Sequence, residues 1–176
     1  PSGAFDKIID INHCYLQGDP SNALRKNMKA IAIEQGLAFF DIRANKGFVR
    51  QSMIRVTTLG QTMLVIGFYD DDLEKRTAYL DELLKRHPEI TSLMYCINQK
   101  VNDFLNDLEM IPYKGNSFIE EKLGDLTFRI GPKSFFQTNT RQAIRLYDVV
   151  VDWAGLTGEE NVYALYRGIG SIALYR

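Results

Sequence analysis

Two glycines one residue apart, Gly168 and Gly170, follow the apolar stretch "NVYALY" and precede Ser171, Ile172 and Ala173. A strand, a glycine turn and a helix start in that order let backbone approach a nucleotide-like cofactor, because glycine carries no Cβ and the first helical N–H groups are unpaired. A dinucleotide fingerprint needs a third glycine, and Ala173 stands in that place. Gln137, in "SFFQTN", offers an amide that can both donate and accept. Arg43, Lys46, Phe48, Arg50 and Arg55 gather around a turn at Asn45 to Gly47. They supply cations for phosphates and a ring for an unpaired base, although a solvated face of a strand pair is the plainer account of the charges. The two cysteines, Cys14 and Cys96, and the two histidines, His13 and His87, show no metal-site spacing. Cys96 lies inside the apolar "SLMYCIN" and reads as a small core residue.

The elements that must position these residues are legible from punctuation and period. Ser21 is expected to cap a helix with Leu24, Met28, Ile31 and Gln35 on one stripe, ended by Gly36. Phe48 to Thr58 is extended, and Thr62 to Tyr69 reads as a strand buried on both faces. Asp71 with Glu74 opens a helix bearing Leu73, Thr77, Leu80 and Leu84, closed before Pro88. Ser92 to Asn98 is a further strand, and Ser117 to Gly131 a hairpin turning at Gly124-Asp125. Asn139 with Gln142 starts a helix expected to turn Ala143, Leu146, Tyr147, Val150, Trp153 and Ala154 inward. Gly155 and Gly158 mark its exit, and a terminal strand leads to the glycine turn.

This order predicts an α+β fold: a central domain over 1–131 with a mixed or antiparallel sheet and packed helices, then over 132–176 the first helix and strand of an α/β domain. Pro1 is no initiator methionine, and the glycine turn is followed by only a few residues, so the chain reads as an excised piece of a longer protein. With 176 residues, 45% of them apolar and 24% charged, it can bury a good core. A formal net charge of −1 argues against a dedicated polyanion-binding module but leaves room for a local basic face. No run approaches the roughly 20 apolar residues of a membrane span. Two cysteines make no disulfide framework, which points to a reducing, cytoplasmic setting.

The compound stretch "SFFQTNTRQAIRLYDVVVDWAGLTGEENVYALYRGIGSIALY" resembles the segment leading into the S-adenosylmethionine-binding domain of RNA uracil-5 methyltransferases. That family shows Phe-Phe/Ile-Gln-x-Asn, a helix with Gln-x-x-x-Leu-Tyr, and a strand running into Cys-Gly-x-Gly-Thr/Asn. "DINHCYLQ", "GFVRQSMIRVTTLGQTMLVI" and "HPEITSLMYCINQKVND" resemble the middle region of the ribosomal-RNA branch, the 23S ribosomal RNA type. The resemblance implies a Rossmann-like, S-adenosylmethionine-dependent domain, a ribosomal RNA substrate, no membrane and no predicted protein partner. Transfer RNA is the alternative substrate. Carried over by position, Gln137, Tyr166, Gly168, Gly170 and Ser171 are the implied cofactor contacts. For the central region, Arg43, Lys46, Phe48, Arg50 and Arg55 are the candidate RNA contacts, since the turn at Asn45 to Gly47 presents them. Cys14 matches the cysteine that completes a four-iron four-sulfur cluster in the ribosomal branch, whose other three thiolates have no counterpart here.

The implied reaction adds a cysteine thiolate to C6 of a flipped uridine, transfers methyl to C5 and removes the C5 proton with a carboxylate base. No residue of this chain fits the nucleophile or the base, so the chain by itself is expected to be inactive. Three positions depart from the pattern: Ala164 replaces Asp, Arg167 replaces Cys and Ile169 replaces Thr. Losing the carboxylate and adding a cation disfavours a positively charged cofactor, so weak cofactor binding is expected. A non-catalytic RNA-binding scaffold and an unrelated nucleotide-binding α/β protein are the other function classes.

Overall fold

An unbroken apolar strand has no face to give to water, and "TMLVIGF" is placed accordingly. The computed structural model describes residues 9–165 and 168–175. In it β1 (Val49–Val56), β2 (Thr62–Phe68), β3 (Ser92–Ile97) and β4 (Ile111–Gly115) form a sheet in that order, and every residue of β2 is buried. β1 pairs antiparallel with β2, β2 parallel with β3, and β3 antiparallel with β4. The parallel step needs a crossover, supplied by α2 (Leu73–Arg86).

Side chains alternate across β2, so its two faces feed two cores. Leu64, Ile66 and Phe68 meet α2 and α1 (Ser21–Glu34) through Leu24, Ile31, Tyr79, Leu80 and Leu83. Met63 and Val65, with Met94 of β3, meet the hairpin of β5 (Ile119–Leu123) and β6 (Leu126–Ile130), and beyond it α3 (Thr140–Ala154). This second core holds Ile119, Leu123, Phe128 and Ile130 together with Phe136, Ala143 and Tyr147, so it runs through both sides of Gly131. The result is a mixed α+β arrangement.

Several expectations shift in detail. Pro20, not Ser21, is the cap residue of α1; Ser21 lies buried in the first turn and makes no capping bond. Gln35 is the exposed C-cap, and Ala32 takes the place on the stripe that Gln35 was expected to hold. Gly36, at φ 65°, then lets Leu37 N–H reach the Ala32 carbonyl at 2.8 Å. The cap of α2 is Asp72, whose carboxylate accepts from Lys75 N–H at 3.1 Å, while Asp71 pairs with Arg76. Arg76 lays its guanidinium 4.6 Å over the Tyr95 ring, and the buried stripe becomes Arg76, Tyr79, Leu80 and Leu83, leaving Leu73 exposed. Asn139 caps α3 as expected, accepting from Gln142 N–H at 3.1 Å, and Gly155 closes it in the left-handed conformation.

Two elements differ outright. β4 escapes the sequence reading because Pro112 sits within it; proline is tolerated there because β4 is an edge strand. The expected terminal strand does not form over 161–165, which pair with no other strand among the described residues. The helix start expected after the glycine turn does form, as the four-residue α4 (Ser171–Leu174) that follows Gly170. On α3 only Thr140, Ala143 and Tyr147 are buried; Leu146, Val150, Trp153 and Ala154 face outward because the hairpin covers half of the apolar stripe.

Candidate cofactor and RNA site

The segment Pro132 to Asn139 links hairpin to helix, and it is held at both ends. At its start, Arg55 Nη2 reaches across from β1 and donates to the Ser134 carbonyl at 2.8 Å and the Pro132 carbonyl at 3.4 Å. Burial pushes the Arg55 guanidinium below its ordinary pKa. At its end, the carboxylate of Glu121 accepts from Thr140 Oγ1 at 2.9 Å, from Thr58 N–H at 3.0 and 3.1 Å, from Lys122 N–H at 2.9 Å and from Thr58 Oγ1. Glu121 is 3% exposed. It ties the β1–β2 turn, the hairpin and the first turn of α3 to one point, where the N-terminus of the helix also favours negative charge.

Between these clamps Phe136 turns inward against Phe128, with ring centroids 5.9 Å apart, and the next residue, Gln137, is exposed. Gln137 borders a cavity of about 140 Å³ together with Arg55, Glu121, Thr138 and Thr140. The glycine turn approaches the same segment from outside that cavity: a Cβ added at Gly168 would come 3.9 Å from the Phe135 carbonyl oxygen. Gly168 and Gly170 have φ of 55° and 85°, a region that favours glycine. The Ser171 hydroxyl meets the Tyr147 hydroxyl at 3.0 Å, anchoring the turn to α3. The fold thus brings the glycine turn against the segment that carries Gln137, at Phe135. Tyr166 and Arg167 lie outside the described residues.

The expected RNA residues separate into two kinds. Arg43 and Lys46 are exposed on the turn that Asp41 and Lys46 close, where Asn45 adopts φ 47°. Phe48 is instead a core residue, 4% exposed and 4.9 Å from the Phe68 ring, and so presents no face to a base. Arg50 is a scaffold arginine: it donates to the carbonyls of Asn98 (2.9 Å), Lys100 (2.6 Å), Val101 (3.3 Å) and Asn102 (2.8 Å) and lies 4.1 Å over the Phe40 ring. Arg55 is the clamp described above. Both are turned inward because loop carbonyls at a sheet end need donors that the ladder does not supply.

Cys14 is partly buried, its backbone fixed to Asn22 of α1 by bonds of 2.8 and 3.1 Å. Among the described residues no group of three or more His, Cys, Asp or Glu is placed to hold a metal ion. One thiolate does not make the expected cluster site, and no step is derived from it. Cys96 is buried in β3, and burial pushes its thiol up. The described helices include none long and apolar enough to cross a membrane.

No family model matches the chain. It is 44% identical over 173 residues to an uncharacterized RNA methyltransferase of Porphyromonas gingivalis, covering 97% of this chain and 37% of that protein. It is 41% identical over 174 residues to one of Bacteroides thetaiotaomicron, covering 97% of this chain and 38% of that protein. Among solved structures, the tRNA (uracil-54, C5)-methyltransferase of Pyrococcus abyssi in complex with S-adenosyl-L-homocysteine superposes with a TM-score of 0.77 at 27% identity. That match covers 98% of this chain and 41% of the archaeal one. The chain therefore spans less than half the length of each of these proteins, and nearly all of its own length is similar to one segment of each.

Proposed function

We propose that this chain is part of an S-adenosylmethionine-dependent RNA methyltransferase that makes 5-methyluridine, supplying the central domain over 1–131 and the opening of the cofactor domain over 132–176. The observation that carries this reading is the structural match, along 98% of the chain, to a uracil-5 methyltransferase bound to the demethylated cofactor. Ribosomal RNA is the proposed substrate, on the resemblance of the central region to the ribosomal branch. A transfer RNA substrate is the second reading, favoured by the substrate named for the archaeal structure. The absence of a disulfide framework, with Cys14 and Cys96 both free thiols, supports a cytoplasmic setting.

Bound at this site, S-adenosylmethionine supplies an electrophilic methyl group. Gln137 and the turn of Gly168, Gly170 and Ser171 are the residues of this chain that would hold it, with Tyr166 as a further contact. Their contribution is placement: the Arg55 and Glu121 clamps fix both ends of the segment that carries Gln137, so its backbone is positioned before the cofactor arrives. Nucleophile and base are assigned to no residue of this chain, and a cluster ligated by Cys14 enters no step.

Labelled methyl transfer to RNA from cells lacking the modification tests the reading. In the full-length protein, Gln137→Ala is expected to raise the KM for S-adenosylmethionine about tenfold, the worth of one well-placed polar contact. A full-length protein that labels no RNA at all would refute the proposal.

A further inference from the structure

β1 is the other edge of the four-stranded sheet, and its register with β2 tells which backbone groups it leaves free. Val56 stands opposite Thr62, and the next pair, Thr57 and Gln61, is hydrogen-bonded, with Thr57 N–H donating to the Gln61 carbonyl at 3.0 Å. Bonded and non-bonded pairs alternate along an antiparallel ladder, so Arg55, Met53 and Gln51 turn their backbone groups to β2. Val56, Ile54 and Ser52 turn theirs to the free edge. At the start of the strand the outward groups of Val49 are already taken, by the Ala38 carbonyl at 3.1 Å and by Phe40 N–H at 2.9 Å. Ser52 is exposed, and no described residue bonds to its outward N–H or C=O.

At Ser52 this edge borders a cleft of about 190 Å³ that opens towards α1. Met28, Val49 and the fully buried Tyr79 make an apolar floor, and Phe39 stands in the lining with 48% of its surface exposed. Arg25 and Lys29, one turn apart on α1, complete it, and no Asp or Glu belongs to the lining. The exposed Asp10 pairs with Lys29 and lies near Arg25, so one carboxylate faces two cations and the rim stays positive. Arg25 is only partly buried: its Nη2 is enclosed without a hydrogen-bond partner, and the rest of the guanidinium is open to the cleft.

We propose that this cleft binds one unpaired nucleotide of the substrate RNA, with the base edge against Ser52, the ring face on Phe39 and the phosphate at Arg25 and Lys29. The outward N–H and C=O of one strand residue set a donor and an acceptor side by side, the complement of a base edge that carries one of each. An exposed ring and a positive rim match the two remaining parts of a splayed nucleotide. The inference rests on the RNA methylation reading above. It gives the stacking role to the exposed Phe39 in place of Phe48, which is in the core.

The test uses the full-length protein, labelled S-adenosylmethionine and unmodified cellular RNA. Phe39→Leu keeps an apolar side chain and removes the ring; Arg25→Gln keeps a polar stem and removes the charge. Each is expected to raise the KM for RNA about fivefold with the KM for S-adenosylmethionine unchanged. Arg25→Gln is also expected to flatten the salt dependence of the KM for RNA, which a mere loss of packing does not do. Absence of methyl transfer by the wild-type protein would remove the underlying reading and this site with it. Wild-type activity with an unaltered KM for RNA in both variants would overturn the nucleotide site alone.

Discussion

Arg50→Glu is expected to lower the free energy of unfolding by about 3 kcal/mol, because a carboxylate would face carbonyl oxygens that now share a partly buried cation. Four carbonyls of the 98–102 stretch converge on the guanidinium, and Phe40 covers one of its faces. Lysine is a poor replacement, since one ammonium cannot present a planar fork to four acceptors. Urea unfolding followed by circular dichroism checks the expectation. A loss below about 1 kcal/mol would mean that Arg50 behaves as a surface residue and that its carbonyl contacts contribute little. On sequence grounds alone this arginine is a candidate phosphate ligand or part of a solvated face, and neither reading makes a charge reversal a folding defect. The structure makes it a stability defect first.

Glu121→Leu is expected to cost about 3 kcal/mol, since Thr58 N–H, Lys122 N–H and the Thr140 hydroxyl lose their shared acceptor in a buried setting. Leucine matches the neighbouring apolar residues in volume, so the loss reports the unpaired donors rather than a cavity. Glu121→Gln keeps an oxygen for some of the donors and is expected to cost less than half as much. Equal unfolding midpoints for wild type and Glu121→Leu would show that water replaces the carboxylate without penalty, and that the three elements are not joined at this point.

These two residues show where sequence reasoning reached and where it stopped. Period and punctuation located β2, β3, the hairpin and all three longer helices, because burial and caps leave local marks: "MLVIGFY" for a two-faced strand, Asn139 with Gln142 for a helix start. Arg50 and Arg55 carry no such mark, since whether an arginine points outward or into a loop is decided by carbonyls some 50 to 80 positions away. Glu121 did leave a signal. In "IEEKL" the alternation that buries Ile119 and Leu123 also turns Glu121 inward, and a lone carboxylate at an inward position calls for a cluster of donors. The Gln137 segment was legible as part of a motif, yet its support by Arg55 and Glu121 was not, because both contacts are long-range. β4 was lost to a proline that its edge position tolerates, and the terminal strand to the absence of any strand for it to pair with among the described residues.

The complete burial of β2 has a consequence for how the molecule breathes. Its amides are bonded between β1 and β3, with α1 and α2 over one face and the hairpin over the other. No local fraying exposes them to deuterium, so their exchange with heavy water proceeds only when the layers separate altogether. Those few protons time the rarest opening of the chain, while the edge at β4 exchanges on the faster clock of its own detachment.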